Sequence, residues 1–319
     1  MRNRISILLL CILLLAGAFS FKWTLNNITT APDVQLVILG TIQDAGSPQI
    51  GCYKDCCKDL YDHPDHSRKV VSLGLIDHES QHTWLFEATP DMVSQFHLLQ
   101  SQAGSHNREV PNGIFLTHAH IGHYTGLMFL GKEAINTREL PVYAMPKMEQ
   151  FIKANGPWSQ LVANKNISIK ALENGRSIAL NNRIKVTPFT VPHRDEFSET
   201  VGYRIEGPSK TALFIPDIDK WSKWSTSILA EIKKSDYAFL DATFYDGNEL
   251  KNRDMSAVPH PFIVESMELF KNLSSMDKSK VHFIHFNHTN PVINQNSEAY
   301  KTVIKNGFKV ASFNQIINM

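Results

Sequence analysis

Short apolar runs punctuate the chain at residues 34–40, 70–76, 83–88 and 113–117, each bounded by polar or glycine-containing stretches, and each reads as a strand. Apolar residues at helical spacing follow at 91–102 and 124–136. The alternation then continues with a strand at 141–145, a helix at 146–155, and strands at 183–191, 201–205 and 211–215. A helix near 225–234, a strand at 237–240, a helix at 261–273, a strand at 281–285 and a last helix and strand complete the pattern before Met319. Strand runs interrupted by single helices predict an α/β domain of two packed sheets with helices outside them. No internal repeat, low-complexity segment or long Pro/Gly/Ser linker interrupts it.

The first residues follow a different pattern. Met1-Arg2-Asn3-Arg4 is positively charged, residues 5–18 are almost wholly apolar, and Ala16-Gly17-Ala18 supplies a small-residue cleavage pattern, so a signal peptide cut after Ala18 is expected. The competing reading is an uncleaved anchor, because the apolar run reaches Phe21. Residues 19–33 read as a polar tether and 34–319 as one catalytic domain. Both readings make the protein exported, periplasmic or secreted. A hydrophobic content of 43% and a net charge of +1 describe an ordinary globular chain with no basic excess to attract nucleic acid. The membrane would be met only through the N-terminal segment. The expected partner is a small-molecule or peptide substrate.

Candidate chemistry is concentrated in Phe115-Leu116-Thr117-His118-Ala119-His120-Ile121-Gly122-His123, at a strand-to-helix turn. In the last extended residues of a strand, side chains at i and i+2 point the same way, so His118 and His120 can converge. His123 reaches that neighbourhood from the first helical turn. Three convergent imidazoles form most of a transition-metal site.

At these residues the chain resembles the metallo-β-lactamase fold superfamily, whose signature at this turn is H-x-H-x-D-H. The resemblance implies a four-layer αββα sandwich and one or two active-site zinc ions. Gly122 stands where the family has an aspartate that ligates the second metal. One tight ion and a weaker second one are therefore expected, and Gly122→Asp should raise occupancy of the second. The same resemblance makes His193, after Val191-Pro192, the third ligand of the first metal beside His118 and His120. It makes Asp217, ending Leu213-Phe214-Ile215-Pro216, the bridging aspartate, with Asp219 as the alternative. Asp241 would orient a histidine near the metals, and His285 would be the last ligand, holding the second ion with His123. His260 lies where related branches carry an active-site histidine, and His288 is a candidate to offset the missing aspartate or to assist catalysis. Val281 to Pro291 and Gly46 to Cys52 are similar to segments of the pyrroloquinoline-quinone biosynthesis protein B branch.

After removal of the expected signal peptide, which contains Cys11, three cysteines remain, Cys52, Cys56 and Cys57, within six residues, and an odd number in an exported chain leaves two readings open. One is a disulfide from Cys52 to one of its neighbours. The other is a structural zinc knuckle with a fourth ligand from His63, His66 or elsewhere, the reading favoured here.

A divalent metal lowers the pKa of bound water from about 16 to about 7 and polarises the bond attacked. The resulting expectation is a hydrolase of an ester, amide or phosphoester, with Asp217 orienting the nucleophile and Asp241, His260 or His288 moving a proton. A second reading keeps the fold but makes the site a histidine-rich iron centre for oxygen chemistry, which the biosynthesis branch implies. A third is a non-catalytic metal-binding module, against which the number of retained ligands argues.

Overall fold

The computed structural model describes residues 34–104, 110–250 and 254–319. The signal peptide or anchor expected over 1–18 and the tether over 19–33 lie outside the described residues. Among those described, no helix is long and apolar enough to cross a membrane.

The first sheet contains β1 (Val34–Gly40), β2 (Ser72–Asp77), β3 (His82–Phe86), β4 (Gly113–Phe115), β5 (Leu140–Ala144) and β6 (Ile167–Ala171), in chain order across the sheet. The second contains β7 (Ile178–Ala179), β8 (Lys185–Thr190), β9 (Val201–Glu206), β10 (Thr211–Ile215), β11 (Tyr237–Asp241), β12 (Val281–Ile284) and β13 (Lys309–Val310). A last strand, β14 (Ile316–Asn318), returns to pair antiparallel with β1.

The side-chain period of two in each strand builds the layers. Leu36 and Ile38 of β1 point between the sheets, where they join Phe86, Phe115, Tyr203, Phe214 and Phe239. Val37 and Leu39 point the other way and pack with Met92 and Leu99 of α1 (Met92–Ala103) and with Leu127. On the outer face of the second sheet, Leu213, Ile215, Leu240 and Phe283 meet Ile232, Phe270 and Val303 from or beside its covering helices. Each sheet is therefore apolar on both faces, which requires helices outside both, and the expected αββα sandwich results.

Departures from the expected elements sit around the histidine-bearing turn. The strand expected over 113–117 ends at Phe115, because the Thr117 N–H donates to the Glu87 carboxylate instead of to a neighbouring strand. The helix expected over 124–136 is one turn, α2 (Ile121–Tyr124), followed by a 3₁₀ segment over Thr125–Leu130. Gly126 explains the change: its N–H donates to the Ala88 carbonyl at 2.8 Å, and a Cβ there would lie 2.2 Å from the Thr89 carbonyl oxygen. The backbone is thus held against the end of β3 instead of continuing as an α-helix. The helix expected over 261–273 spans Ile263–Leu269, with a separate one at Ser275–Lys280. Strands β6 and β7 and the helix Trp158–Ala163 were not anticipated by the apolar pattern.

Parallel strands bring the chemistry to one edge. β3 to β6 are parallel in the first sheet and β10 to β12 in the second. His118, Asp217, Asp241 and His285 all lie at or just beyond the C-terminal ends of such strands, the usual location of sites in α/β sheets. Tyr203 locks this edge: its hydroxyl donates across the sandwich to the Leu116 carbonyl, and its ring packs edge-on against Phe86 and Phe115.

Candidate metal centre

His118, His120 and His193 each place a ring nitrogen within 4.8 Å of the others. His118 Nε2 and His120 Nδ1 are 2.7 Å apart, and the His193 ring lies 5.3 and 5.1 Å from those of His118 and His120. Burial pushes the His118 and His193 imidazoles down, His193 to about 4, so the uncharged form with a free lone pair prevails at neutral pH. Neither nitrogen of His193 has a hydrogen-bond partner, although both are buried.

A second group adjoins the first and consists of Asp44, His123, Asp217 and His285. Asp44 Oδ1 lies 2.9 Å from His123 Nε2 and 3.3 Å from His285 Nε2; Asp217 Oδ2 lies 3.0 and 3.2 Å from the same two nitrogens. That Asp217 oxygen is buried and lacks an aligned hydrogen bond, as expected for an atom that shares a cation with its neighbours. Asp217 faces the first group too, 3.9 Å from His118 Nε2 and, through Oδ1, 3.6 Å from His193 Nε2. Charge follows from this packing. Burial disfavours the imidazolium of His285, but Asp217, Asp241 and Asp44 raise it to about 10; the carboxylates likewise hold His123 well above its ordinary value. A divalent cation would replace the two protons that balance these buried carboxylates.

The ligand histidines are oriented from behind. His285 Nδ1 is 2.9 Å from the Thr243 hydroxyl, and His260 Nδ1 is 2.8 Å from Asp241 Oδ2, which also accepts the Ile218 N–H. His260 Nδ1 is 3.6 Å from Asp217 Oδ1. Asp219, the alternative bridging residue, instead pairs with Lys223 at 2.7 Å and joins neither ligand group.

Two contributors were not assigned from the sequence. Glu87 is fully buried, with Oε1 3.2 Å from His123 Nδ1 and with a left-handed backbone, φ +79°. It closes an apolar strand in an acid, as Asp217 and Asp241 do, but the family resemblance gives it no role. His285 is also left-handed, φ +69°, and such buried non-glycine residues cluster where the surrounding fold enforces a functional geometry. Glu87→Gln is expected to weaken metal affinity about 10- to 100-fold, because the amide cannot balance His123 as a carboxylate does. Chelator competition on purified protein measures this, and unchanged affinity would remove Glu87 from the site.

The second contributor is Asp44, which the family resemblance sets at the border of the active site without a ligand role, and it corrects the reading of Gly122. A Cβ on Gly122 would lie 2.5 Å from the Asp44 Cα and 2.8 Å from its Cβ and Cγ. Gly122→Asp therefore has no room, and the expectation that it would raise second-site occupancy is withdrawn.

His288 is also relocated. It joins Cys52, Cys56 and Cys57, whose sulfurs and ring nitrogen lie within 4.8 Å of one another, and stands apart from the groups around Asp217. His63 and His66, the sequence candidates for a fourth ligand, are exposed and outside this cluster. The thiols are unbonded, with Cys52 Sγ 3.8 Å from Cys56 Sγ, whereas a disulfide needs about 2.05 Å.

A model of the beta-lactamase superfamily domain matches residues 82–286, from the start of β3 to just past His285. The chain belongs to the metallo-β-lactamase superfamily. Among its relatives, coenzyme PQQ synthesis protein B of Methylococcus capsulatus is 23% identical over 302 residues, covering 86% of this chain and 96% of that one. The Acinetobacter baylyi protein of the same name is 24% identical over 82% of this chain and 91% of its own length. Zn(2+)-bound PqqB from Methylobacterium extorquens superposes with a TM-score of 0.73 at 21% identity, over 89% of this chain and all of the other. A diphosphatase from the PhnP family follows with a TM-score of 0.60 at 20% identity, over 89% and 96%. This metallo-β-lactamase fold protein is thus PqqB-like along nearly its whole described length, and its His/Asp groups suit zinc.

Proposed function

We propose that this protein is a metal-dependent hydrolase of anionic esters, phosphoesters in particular. The observation that carries the proposal is the placement of two adjoining ligand groups, with Asp217 of the second facing the first, beside a cleft of about 1060 Å³ rimmed by Lys54, Arg194 and Lys223 against a single carboxylate, Asp219. Arg194 adjoins the first group, with Nη2 3.3 Å from His120 Nε2. Its guanidinium can grip two oxygens of a phosphate.

A divalent ion held by His118, His120 and His193, or by Asp44, His123, Asp217 and His285, would lower the pKa of bound water and polarise the ester. The chain's own residues do the rest. Asp217 lies between the groups and accepts from whatever proton the nucleophile carries. His260 lines the cleft, and Asp241 fixes its ring, so His260 is placed to give a proton to the leaving oxygen. The second reading, an iron centre for oxygen chemistry, rests on the resemblance to the biosynthesis branch; a mixed imidazole and carboxylate set holds zinc or iron, so the metal carried by native protein separates the two readings.

Zinc-loaded protein should hydrolyse bis(p-nitrophenyl) phosphate or p-nitrophenyl phosphate faster than p-nitrophenyl acetate or nitrocefin. Arg194→Ala should lower that turnover at least about 10-fold, the worth of one charged hydrogen bond. Turnover of p-nitrophenyl acetate or nitrocefin alone, or native protein that carries iron and consumes oxygen, would overturn the reading.

We further propose that Cys52, Cys56, Cys57 and His288 hold a structural zinc. Three thiolates and an imidazole are a common tetrahedral donor set, and Zn–S bonds of about 2.3 Å give tetrahedron edges of about 3.8 Å, the Cys52–Cys56 separation. Burial and the neighbouring sulfurs push the Cys56 thiol up to about 12 when no cation is present, so binding releases protons. Cys56→Ser is expected to lower Tm by roughly 3 °C, about 2 kcal/mol for a domain of this size, while the histidine groups keep their metal. His288→Asn should lose the same ion. Under denaturation with chelator three reactive thiols should appear; one thiol would mean a disulfide.

A further inference from the structure

We infer that Asp44, on the loop after β1, is the carboxylate ligand of the second metal, transposed from position 122, and that Gly122 is glycine because Asp44 occupies its side-chain space. The inference rests on the metal-dependent reading of the site. It adds a ligand from a segment of the chain outside the histidine-bearing turn.

The geometry is direct. The Cα–Cβ direction at Gly122 runs into Asp44, with the Asp44 Cγ 2.8 Å from where the Cβ would be. A side chain on residue 122 would therefore project into the place where the Asp44 side chain now stands. From there Asp44 Oδ1 contacts His123 and His285, the two imidazoles that also contact Asp217 Oδ2. The four donors mix two nitrogens with two oxygens, a set that suits zinc.

The backbone holds Asp44 in this position by a short ladder to the strand that carries His285. Phe286 N–H donates to the Thr41 carbonyl at 2.8 Å, and Gln43 N–H donates to the Phe286 carbonyl at 2.8 Å. Ile42 bridges Phe286 on one side and Val70 on the other, so residues 41–43 span the two sheets at the site edge. Asp44 is the next residue but one after Ile42, and His285 immediately precedes Phe286. Register alone brings the carboxylate and the imidazole together. The Asp44 side chain is 13% exposed, so it is largely shielded from water and needs a cationic partner.

Two substitutions test this on the full-length protein, read by metal content per chain and by zinc titration of the metal-stripped form. Asp44→Asn keeps shape and removes the charge; Gly122→Ala adds one carbon and no ligand, and its Cβ must push Asp44 aside. Both should reduce the ions at the histidine groups from two per chain to one, with the ion at His118, His120 and His193 retained. His118→Ala should give the reciprocal pattern, losing that ion and keeping the one at Asp44. Asp44→Asn binding two ions with wild-type affinity would overturn the inference, as would Gly122→Asp filling the second position more tightly than wild type. Either result leaves hydrolysis by the wild type standing. Conversely, loss of one ion in Asp44→Asn alongside failure of every ester substrate would support the ligand and sink the proposed activity.

Discussion

Asp217→Asn is expected to strip most of the metal from both histidine groups and to lower hydrolytic turnover roughly 10³-fold, the equivalent of several kcal/mol of transition-state stabilisation. Asp217 is a carboxylate that faces both groups: one of its oxygens lies near His123 and His285, the other near His193 and His260. The carboxyl is 3% exposed and is held ionised well below its ordinary range, because its burial is outweighed by the surrounding imidazoles. An amide of the same shape removes the charge that makes a buried cation tolerable and presents an N–H₂ to nitrogens that should face a metal. Metal analysis and turnover on the same sample decide the matter. Two ions and turnover within tenfold of wild type would show that Asp217 is no ligand.

Asp77→Ala is expected to destabilise the fold by about 3 kcal/mol, the lower end of what breaking a buried ion pair costs. Asp77 ends β2 in the first sheet and is fully buried. It accepts from Arg183 and from Asn181 at 2.7 Å, both just ahead of β8 in the second sheet, and from the Ser80 hydroxyl at 2.7 Å. The cost stays at the lower end because Glu79, 2.6 Å from Arg183, remains to balance the guanidinium. Burial pushes this carboxyl up, but Ser80, Arg183 and the Glu79 N–H together hold it below its ordinary value. A depressed carboxylate contributes stability that is fully present above its unfolded pKa of about 3.9 and is lost as pH falls through the folded value. The stability difference between wild type and Asp77→Ala should therefore be constant from pH 7 to about 5 and shrink below pH 4. Urea unfolding of both proteins across that range measures it, and the difference cancels the histidines they share. A gap that widens in acid would assign the stabilisation elsewhere.

How far the chain could be read depended on whether information was local. Alternation along β1 assigns Leu36 and Ile38 to one face and Val37 and Leu39 to the other without knowledge of any partner, so the layered αββα fold was legible. The spacing of His118, His120 and His123 is equally local, and the family resemblance adds Asp217 and Asp241, acids that close apolar strands. Glu87 carried that same mark and was passed over, because nothing in its own segment shows which acid faces a histidine.

Tertiary structure decided the rest. Whether the turn after His123 continues as a helix depends on Gly126 lying against the end of β3. Whether His288 serves the histidine groups or the cysteines depends on how residues 52–57 fold back toward the loop after β12. Above all, Gly122 read alone is a missing ligand. Only the pairing of residues 41–43 with Phe286 reveals that a carboxylate distant in sequence stands in the space that the glycine leaves. A side chain's type and spacing are written in its own segment. Which side chains share an ion is a property of the distances between segments, and those distances are set by sheet register and packing.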